Sequence, residues 1–283
     1  MSIPILARNR GGSFAAGPAA PSGVTYDEDA QTYFDALEAA SGWSEPADYA
    51  DKKLAISNYF TNLKEDSNFT DVKAMYIPIW RAAGPNAINA VNPSTYDLTF
   101  NGTITHNGGD YIYGDASTGI ATAGFQGPNS SGTKFFGVAD FSYGGNVLDQ
   151  NGAGREVLCG WQYEGGIYPY YASTLAYATA FDYAGWISAS DSAHEGLYVM
   201  QSIDLTESYT TAGEFFLDGV SKASGQFYVQ TISSTSNNWG LLAGSYSTPI
   251  HYSKYHVNFA FAGTELTSVS AFNTDTATFL AAI

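Results

Sequence analysis

The first helix of the chain is predicted by the spacing of its apolar positions. These recur at i, i+3, i+4 and i+7 and are Ala30, Tyr33, Phe34 and Leu37. Thr25 and Glu28 have the spacing of a capping box, and acidic residues follow in the first turn, where the helix dipole favours them. The pattern predicts a short amphipathic helix that begins near Thr25.

A second helix is predicted after Ser44 and Pro46, residue types that are typical of a helix start. Its apolar face is formed by Tyr49, Ile56, Phe60 and Leu63. Residues 41–43 would join the two helices into a hairpin. Because both apolar stripes are narrow, the hairpin needs a surface to lie on, which is either the following part of the chain or another copy of it.

Beyond Val72 the period of the apolar positions changes from helical to alternating, which is typical of strands. Short alternating runs are separated by turn pairs such as Asn101-Gly102 and Asp218-Gly219. The runs lie at 96–100, 111–114, 156–161, 197–202, 214–217, 227–229 and 256–261. Many short strands without helices between them predict an antiparallel β-sandwich or jelly roll, and residues 266–280 predict a short terminal helix.

Composition and charge narrow the function classes. The 283 residues contain 11 Lys and Arg against 27 Asp and Glu, a net charge of −16, so nucleic acid and anionic membrane surfaces are poor partners. No apolar run has the length needed to span a bilayer, and no signal peptide is recognised at the N-terminus, so membrane insertion is not expected. The single cysteine, Cys159, is interpreted as a small buried hydrophobic residue.

Residues 1–23 have a separate character, since Gly, Ala, Pro and Ser dominate from Gly11 onward. Such a segment buries too little apolar area to order itself alone. It is interpreted as an extended N-terminal arm that becomes ordered on a partner, and a loose tail or linker is the alternative interpretation. The candidate anchoring residues are the apolar head and the two cations beside it, namely Ile3, Ile5, Leu6, Arg8 and Arg10.

Several phrases resemble a known family. They include the segment 72–79, Ala90-Val91-Asn92-Pro93, the run 96–106 and Phe215-Phe216-Leu217-Asp218-Gly219. Together they resemble the concanavalin A-like (laminin-G-like) domains of structural proteins in tailed bacteriophages. The resemblance covers about residues 46–283, and its phrases contain no catalytic signature.

The resemblance implies a mainly β protein with a concanavalin A-like antiparallel β-sandwich jelly roll, preceded by a short helical hairpin and an extended N-terminal arm. The expected division is 1–23 for the arm, 24–72 for the hairpin and 73–283 for the sandwich. The implied function is that of a non-enzymatic virion protein, a head or tail fibre, spike or capsid decoration subunit. Other virion proteins are the expected partners, and a homo-oligomer, with a trimer favoured, is expected from such fibres and from the narrow helical stripes.

Enzyme and metal chemistry find little support in the sequence. Asp204 and Glu207 are three residues apart, which on a strand places them on opposite faces rather than as a glycosidase pair. His251 and His256 likewise face apart, and no Gly-x-Ser-x-Gly elbow is present. Calcium is the one cofactor left open, because some acids lie near loops, namely Asp110, Asp115, Asp140 and Asp149.

Carbohydrate binding by a receptor-recognition adhesin is the alternative function. Flat aromatic rings in Gly-rich segments suit the apolar faces of sugars, such as a host surface glycan. The candidate glycan contacts are Trp161, Tyr168, Tyr170, Trp186 and Trp239, within a set that also contains Tyr163 and Tyr171. The competing interpretation is that these rings pack at sandwich edges and subunit contacts.

Overall fold

The computed structural model describes most of the chain from residue 24 onward. The described residues are 24–106, 109–115, 117–126, 135–140, 155–156, 159–161, 165–171, 175–180, 187–190, 196–202, 211–227, 238–244, 251–252 and 255–283. The arm at residues 1–23, with its five candidate anchoring residues, lies outside them, and the expected division at residues 23 and 72 stays a prediction.

Four α-helices lie at the two ends of the described chain. They are α1 (Glu28–Ala39), α2 (Tyr49–Glu65), α3 (Ala83–Ala87) and α4 (Val269–Ala282). The predicted hairpin and terminal helix are therefore confirmed, but the predicted capping box is wrong. Asp27 caps α1 instead, because its carboxylate accepts the backbone N–H groups of Asp29 and Ala30.

The remaining elements are short strands in two main antiparallel sheets. In chain order they are β1 (Val72–Tyr76), β2 (Thr99–Asn101), β3 (Ile104–Thr105), β4 (Tyr113–Gly114), β5 (Ile120–Gln126), β6 (Phe135–Asp140), β7 (Arg155–Glu156), β8 (Cys159–Trp161), β9 (Gly165–Tyr171), β10 (Leu175–Ala180), β11 (Ile187–Ser190), β12 (Gly196–Ser202), β13 (Thr211–Leu217), β14 (Val220–Phe227), β15 (Asn238–Leu241), β16 (Ala243–Gly244), β17 (His251–Tyr252) and β18 (Val257–Gly263).

The six-stranded sheet has the order β1-β18-β6-β12-β13-β14, and the eight-stranded sheet has the order β11-β10-β9-β8-β15-β5-β2 with β7 paired to β9. All of these pairings are antiparallel. Two further pairs, β3 with β4 and β16 with β17, stand apart from the sheets. The expected fold class is confirmed: the chain is a mainly β antiparallel sandwich with a helical hairpin before it.

The two sheets face each other across one hydrophobic core. From the six-stranded sheet Tyr76 and Val138 point into it, and from the eight-stranded sheet Cys159 and Trp239 do so. The rings of Tyr76 and Trp239 stack with centroids 5.9 Å apart. Burial of these apolar side chains on both inner faces holds the sandwich together.

A second core lies on the other face of the six-stranded sheet, where α1, α2 and α4 cover it. The Tyr59 ring of α2 stacks on Phe279 of α4 at 4.7 Å and meets Phe259 of β18 at 5.9 Å. Phe272 of α4 contacts Phe261 of β18 at 4.8 Å. The molecule therefore has three layers, with the six-stranded sheet in the middle.

The helical stripes find their surface within the same chain. All of the stripe residues that suggested a second copy are fully buried in this second core, namely Tyr33, Phe34, Leu37, Ile56 and Phe60. The narrow width of the apolar stripes is thus explained by the sheet on which they pack. It is therefore no longer an argument for an oligomer. Within the described residues, no helix is both long enough and apolar enough to cross a membrane.

One strand boundary differs from the boundary that the alternating run predicted. The run 96–100 is extended only from Thr99, because Tyr96 has φ +60° and turns the chain before β2. The predicted Asp218-Gly219 turn is confirmed, since both residues have positive φ (52° and 73°), as a two-residue hairpin turn of the I′ type requires.

Candidate functional site

The outer side of the eight-stranded sheet carries a row of small residues. In the register of the strands, Thr122 pairs with Gly240, Gly240 with Gly160, and Gly160 with Gly166. The neighbouring positions Cys159, Ile167 and Leu241 are fully buried toward the inner core. Because strand positions alternate between faces, the three glycines belong to the side away from the core.

We call this side of β5, β8, β9 and β15 the glycine face. No described helix lies on it, in contrast to the six-stranded sheet, whose outer side is covered by three helices. At one end of the row, Thr99 is exposed and Thr122 is half-buried. Small residues over three adjacent strands let a ligand or partner approach the sheet backbone closely.

Three of the predicted glycan contacts fall on strands of this region. Trp161 ends β8 and is the cross-strand partner of Gly165, while Tyr168 and Tyr170 belong to β9 and pair with Tyr177 and Glu156. All three residues therefore lie on two adjacent strands, but only Tyr168 and Tyr170 alternate with the core position Ile167 and so belong to the glycine face. Trp161 alternates with Gly160 and pairs with the buried Trp239, so its position belongs to the core side. Trp186 lies outside the described residues, as does Tyr163.

Trp239 is not part of a surface site. It lies in β15, is fully buried in the inner core and stacks on Tyr76. Its indole ring is thus part of the packing between the two sheets, where a glycan at the surface does not reach it. The sequence suggested otherwise because Gly240 follows it, but that glycine belongs to a strand and not to a loop.

A charged cluster that the sequence did not single out joins the hairpin to the sandwich. The Lys52 ammonium of α2 is 2% exposed and lies 3.0 Å from Asp110 Oδ1 and 3.1 Å from Asp48 Oδ2. Arg81 contacts the same Asp110 oxygen at 3.3 Å. Lys52 and Asp110 are 58 residues apart in sequence, so no local pattern pointed to their contact.

Aromatic residues next to Asp110 surround His256, which is one of the two histidines that the sequence offered as metal ligands. His256 stacks on Tyr111 with ring centroids 4.0 Å apart and also meets Tyr113 at 4.9 Å. The bridge between Ile112 and Val257 sets this arrangement, because it places their neighbours side by side. His251 belongs to β17, and Asp204 and Glu207 lie outside the described residues.

The candidate calcium ligands do not converge in the described part of the chain. Asp110 accepts the Lys52 and Arg81 contacts, and Asp115 accepts the N–H groups of Ser117, Thr118 and Gly119 together with the Thr118 hydroxyl. These donors hold the pKa of Asp115 well below its usual range, against a raising effect of desolvation. Asp140 ends β6 and Asp149 lies outside the described residues; among the described side chains, no group of three metal-ligating residues occurs.

Burial also sets the chemistry of the core groups. Cys159 is fully buried, which confirms its interpretation as a small hydrophobic residue, and desolvation raises the pKa of its thiol. Desolvation likewise raises the pKa of Tyr33, whose hydroxyl accepts the Trp80 indole N–H at 2.8 Å. These groups are inert packing elements rather than reactive ones.

Comparison with known proteins gives likenesses of shape alone. No family model and no curated protein sequence matches the chain. Among solved structures, domain 4 of an extracellular arabinanase from Geobacillus stearothermophilus, solved with arabinotriose, is similar at 12% identity and a TM-score of 0.46, with 72% of this chain and 98% of that chain covered.

Two further structures are similar over less of their own length. A botulinum neurotoxin type C structure described with two ganglioside molecules has 7% identity and a TM-score of 0.44, over 77% of this chain and 52% of that one. A Trypanosoma rangeli sialidase has 9% identity and a TM-score of 0.41, over 78% and 38%. The chain thus spans about half the length of the toxin structure and less than half the length of the sialidase. The function proposed below therefore rests on the residues of this chain.

Proposed function

We propose that the chain is a non-enzymatic structural protein of a tailed-bacteriophage virion, a fibre, spike or decoration subunit of head or tail that displays a lectin-like sandwich. One observation carries the proposal: the two outer sides of the sandwich are unequal. Helices cover the six-stranded sheet, and Tyr26, close to the start of the described chain, packs against that helical layer, while no described helix covers the glycine face. Attachment on the helical side leaves the glycine face directed outward.

The resemblance to phage structural domains supports the same proposal. Its phrases fall on structural parts of the molecule: Asn89, next to Ala90-Val91-Asn92-Pro93, is fully buried and accepts the Met75 N–H while its amide donates to the Lys73 and Thr95 carbonyls. A fully bonded buried amide fixes the segment after β1. Phrases of this kind build a scaffold and hold no reactive group.

Removal of residues 1–23 tests the attachment. The truncated protein is expected to unfold at the same temperature as the full chain but to be lost from purified particles, because the residues of both described cores begin at Tyr26. The triple variant Ile3→Asp, Ile5→Asp and Leu6→Asp should reproduce the loss, and Arg8→Glu with Arg10→Glu should weaken incorporation. Ser13→Ala is the control. Normal incorporation of the truncated protein would show that attachment depends on another part of the chain.

A glycan-binding adhesin is the second candidate, and the placement of Tyr168 and Tyr170 on β9, at positions of the glycine face, favours it. A glycan array with the full chain is expected to give micromolar hits that Tyr168→Ala and Tyr170→Ala each weaken. Trp239→Ala is the contrasting variant, since it should lower stability by several kcal/mol, as for other large core deletions, about 3 to 5. An array without hits would contradict the adhesin role and leave the structural role as the remaining candidate.

A further inference from the structure

The helical hairpin holds a cation inside a set of aromatic rings. The Lys53 ammonium of α2 has three ring centroids around it at nearly equal distances, 5.0 Å for Tyr26, 4.9 Å for Phe34 and 5.0 Å for Tyr49. Adjacent rings are almost perpendicular, with interplanar angles of 79° and 80° at Phe34. Glu38 Oε1 lies 3.4 Å from the Lys53 nitrogen. We call the three rings and the Glu38 carboxylate the ammonium cage.

The cage is built where the two helices of the hairpin meet. Phe34 and Glu38 are four residues apart on α1, and Tyr49 and Lys53 are four apart on α2, so each pair shares one face of its helix. The Tyr49 hydroxyl donates to Glu38 Oε1 at 2.8 Å, which fixes the carboxylate between the helices. Because Phe34 and Tyr49 are buried, packing already holds their rings in place, and a ligand would have little ordering cost to overcome.

The primary ammonium of Lys53 is a poor occupant of the cage. The Lys53 side chain is 15% exposed, and its ammonium has three N–H donors. Among the described residues, the one hydrogen-bond acceptor for these donors is Glu38, at the long distance of 3.4 Å. A buried N–H group without an acceptor is unfavourable. A quaternary ammonium has the same charge and no N–H group, so it avoids this cost.

The size of the cage also suits a methylated ammonium. A methyl carbon is bonded about 1.5 Å from its nitrogen, so from the position of the Lys53 nitrogen it would reach to about 3.5 Å from a ring centroid. Carbon atoms attract one another most strongly at about 3.5 to 4.0 Å. The hydrogens of a primary ammonium lie closer to the nitrogen and leave part of that space unfilled.

We propose that the ammonium cage is a binding site for a quaternary ammonium group of the choline type, and that Lys53 fills it when no ligand is bound. The ring faces and the Glu38 carboxylate attract the positive charge. Glu38 is 46% exposed, so the cage opens to solvent on its side. Lys53 leaves the cage readily because its four-carbon stem is flexible and starts from a half-buried position of α2.

Titration of the full chain with choline, followed by the NMR signals of the cage rings, tests the proposal. Lys53→Ala is expected to bind choline roughly tenfold or more tightly than the native chain, because the internal ammonium no longer competes. Adding Tyr26→Leu to Lys53→Ala should remove the binding, and the fold should persist because Tyr26 is only half-buried. Lys73→Ala removes a cation of β1 and leaves the cage intact, so this charge-matched control should bind like the native chain.

An uncharged probe separates a cation site from an apolar pocket. The tert-butyl analogue of choline has carbon in place of nitrogen, and it should bind Lys53→Ala roughly tenfold more weakly than choline does. Glu38→Gln should weaken the binding of choline and leave that of the analogue unchanged. Phosphatidylcholine vesicles identify the source of the ligand. Sedimentation of the native chain with them, abolished by Tyr26→Leu, would indicate a lipid headgroup, and binding of free choline alone would indicate a small soluble ligand.

The native chain keeps the test decisive if Lys53→Ala does not fold. Choline should then shift the Phe34 ring signals of the native chain, and Tyr26→Leu should abolish that shift. Two results would overturn the proposal. One is the absence of choline binding, at concentrations into the millimolar range, by both the native chain and Lys53→Ala. The other is equal affinity of Lys53→Ala for choline and for its uncharged analogue.

Discussion

The six-stranded and eight-stranded sheets have the same antiparallel pairing but are buried differently, and their sequences show it. In β18 of the six-stranded sheet all seven residues from Val257 to Gly263 are buried, because the inner core lies on one side and the helices on the other. In β5 of the eight-stranded sheet Ala121 and Ala123 are buried while Thr122 and Gly124 between and beyond them are not. Continuous apolar strands indicate a sheet covered on both faces, and alternation indicates one covered face.

The comparison also indicates that stability depends mainly on one sheet and binding mainly on the other. The helix-covered sheet contributes large aromatic rings to two cores, so most substitutions in it should be costly. The glycine face is built from small residues, and a Cβ added at Gly124 meets nothing within 4 Å, so changes at its exposed positions should be tolerated and should be felt in binding instead. Four predictions test this contrast, from the largest expected effect to the smallest.

Phe261→Ala in β18 should give the largest loss. The Phe261 ring is fully buried between Phe135, Phe259 and Phe272, so its removal leaves a cavity between sheet and helices. We expect the free energy of unfolding to fall by about 3 to 5 kcal/mol in denaturant titration. Thr122→Ala on the glycine face is the control, with a change of about 0.5 kcal/mol or less. Equal losses for the two variants would contradict the contrast.

Gly137→Ala and Gly124→Ala compare the same substitution in the two sheets. A Cβ at Gly137 of β6 would overlap the Phe261 ring and the Tyr198 carbonyl oxygen, whereas a Cβ at Gly124 of β5 meets nothing within 4 Å. Overpacking at Gly137 should cost about 1 to 3 kcal/mol or more. At Gly124 the change should be neutral or stabilising by about 0.5 kcal/mol, since alanine loses less entropy in a strand. Thermal unfolding of both variants provides the measurement.

Lys52→Met tests the interface between the hairpin and the sandwich. Removal of the buried ammonium leaves Asp110 with Arg81 and leaves Asp48, which is half exposed, to water. We expect a loss of about 2 kcal/mol, less than for a fully buried pair because both carboxylates keep another partner or solvent. Asp51→Asn at an exposed position of α2 should change little. A recovery of stability in Lys52→Met with Asp110→Asn would confirm that the unpaired carboxylate causes the loss.

His106 should give the smallest effect, which is confined to the acid side of the stability–pH curve. Its ring packs on Phe100 at 4.5 Å, its Nδ1 lies 3.3 Å from the Asn86 amide nitrogen, and desolvation lowers its pKa. The unfolded chain therefore takes up a proton more readily, so stability falls as the pH drops below about 6.5. His106→Gln should flatten the acid side of a stability–pH curve by a few tenths of a kcal/mol, within the range of half-exposed sites. A steeper acid side in this variant would be inconsistent with a lowered pKa.

Much of the fold could be predicted because its signals are local. The stripe from Ala30 to Leu37 predicts α1, and the Asp218-Gly219 pair predicts a hairpin turn, since residues a few positions apart determine helices and turns. The same reasoning did not predict the capping residue of α1 correctly. Thr25 and Asp27 are both suited to cap a helix, and the choice depends on Lys64, which binds the Asp27 carboxylate from α2.

The candidate site was predictable only in part. That aromatic residues cluster with glycines around residues 161–171 is visible in the sequence, but which of them pack inside depends on strand register. Trp239 is buried because its strand pairs with β5 and β8 in the register that directs Cys159, Leu241 and Trp239 into one core. A shift of one residue would have reversed the face of every side chain in that strand.

The sequence by itself determined the classes of element: a helical hairpin, many short strands joined by tight turns, a terminal helix and a strongly acidic surface. Only the tertiary structure decided which sheet the helices cover, that Lys52 meets Asp110, and that Tyr59 meets Thr276. Helix periods and turns arise from neighbours along the chain, whereas these contacts join segments that are distant in sequence. Their energies depend on burial, and burial exists only once the layers have packed.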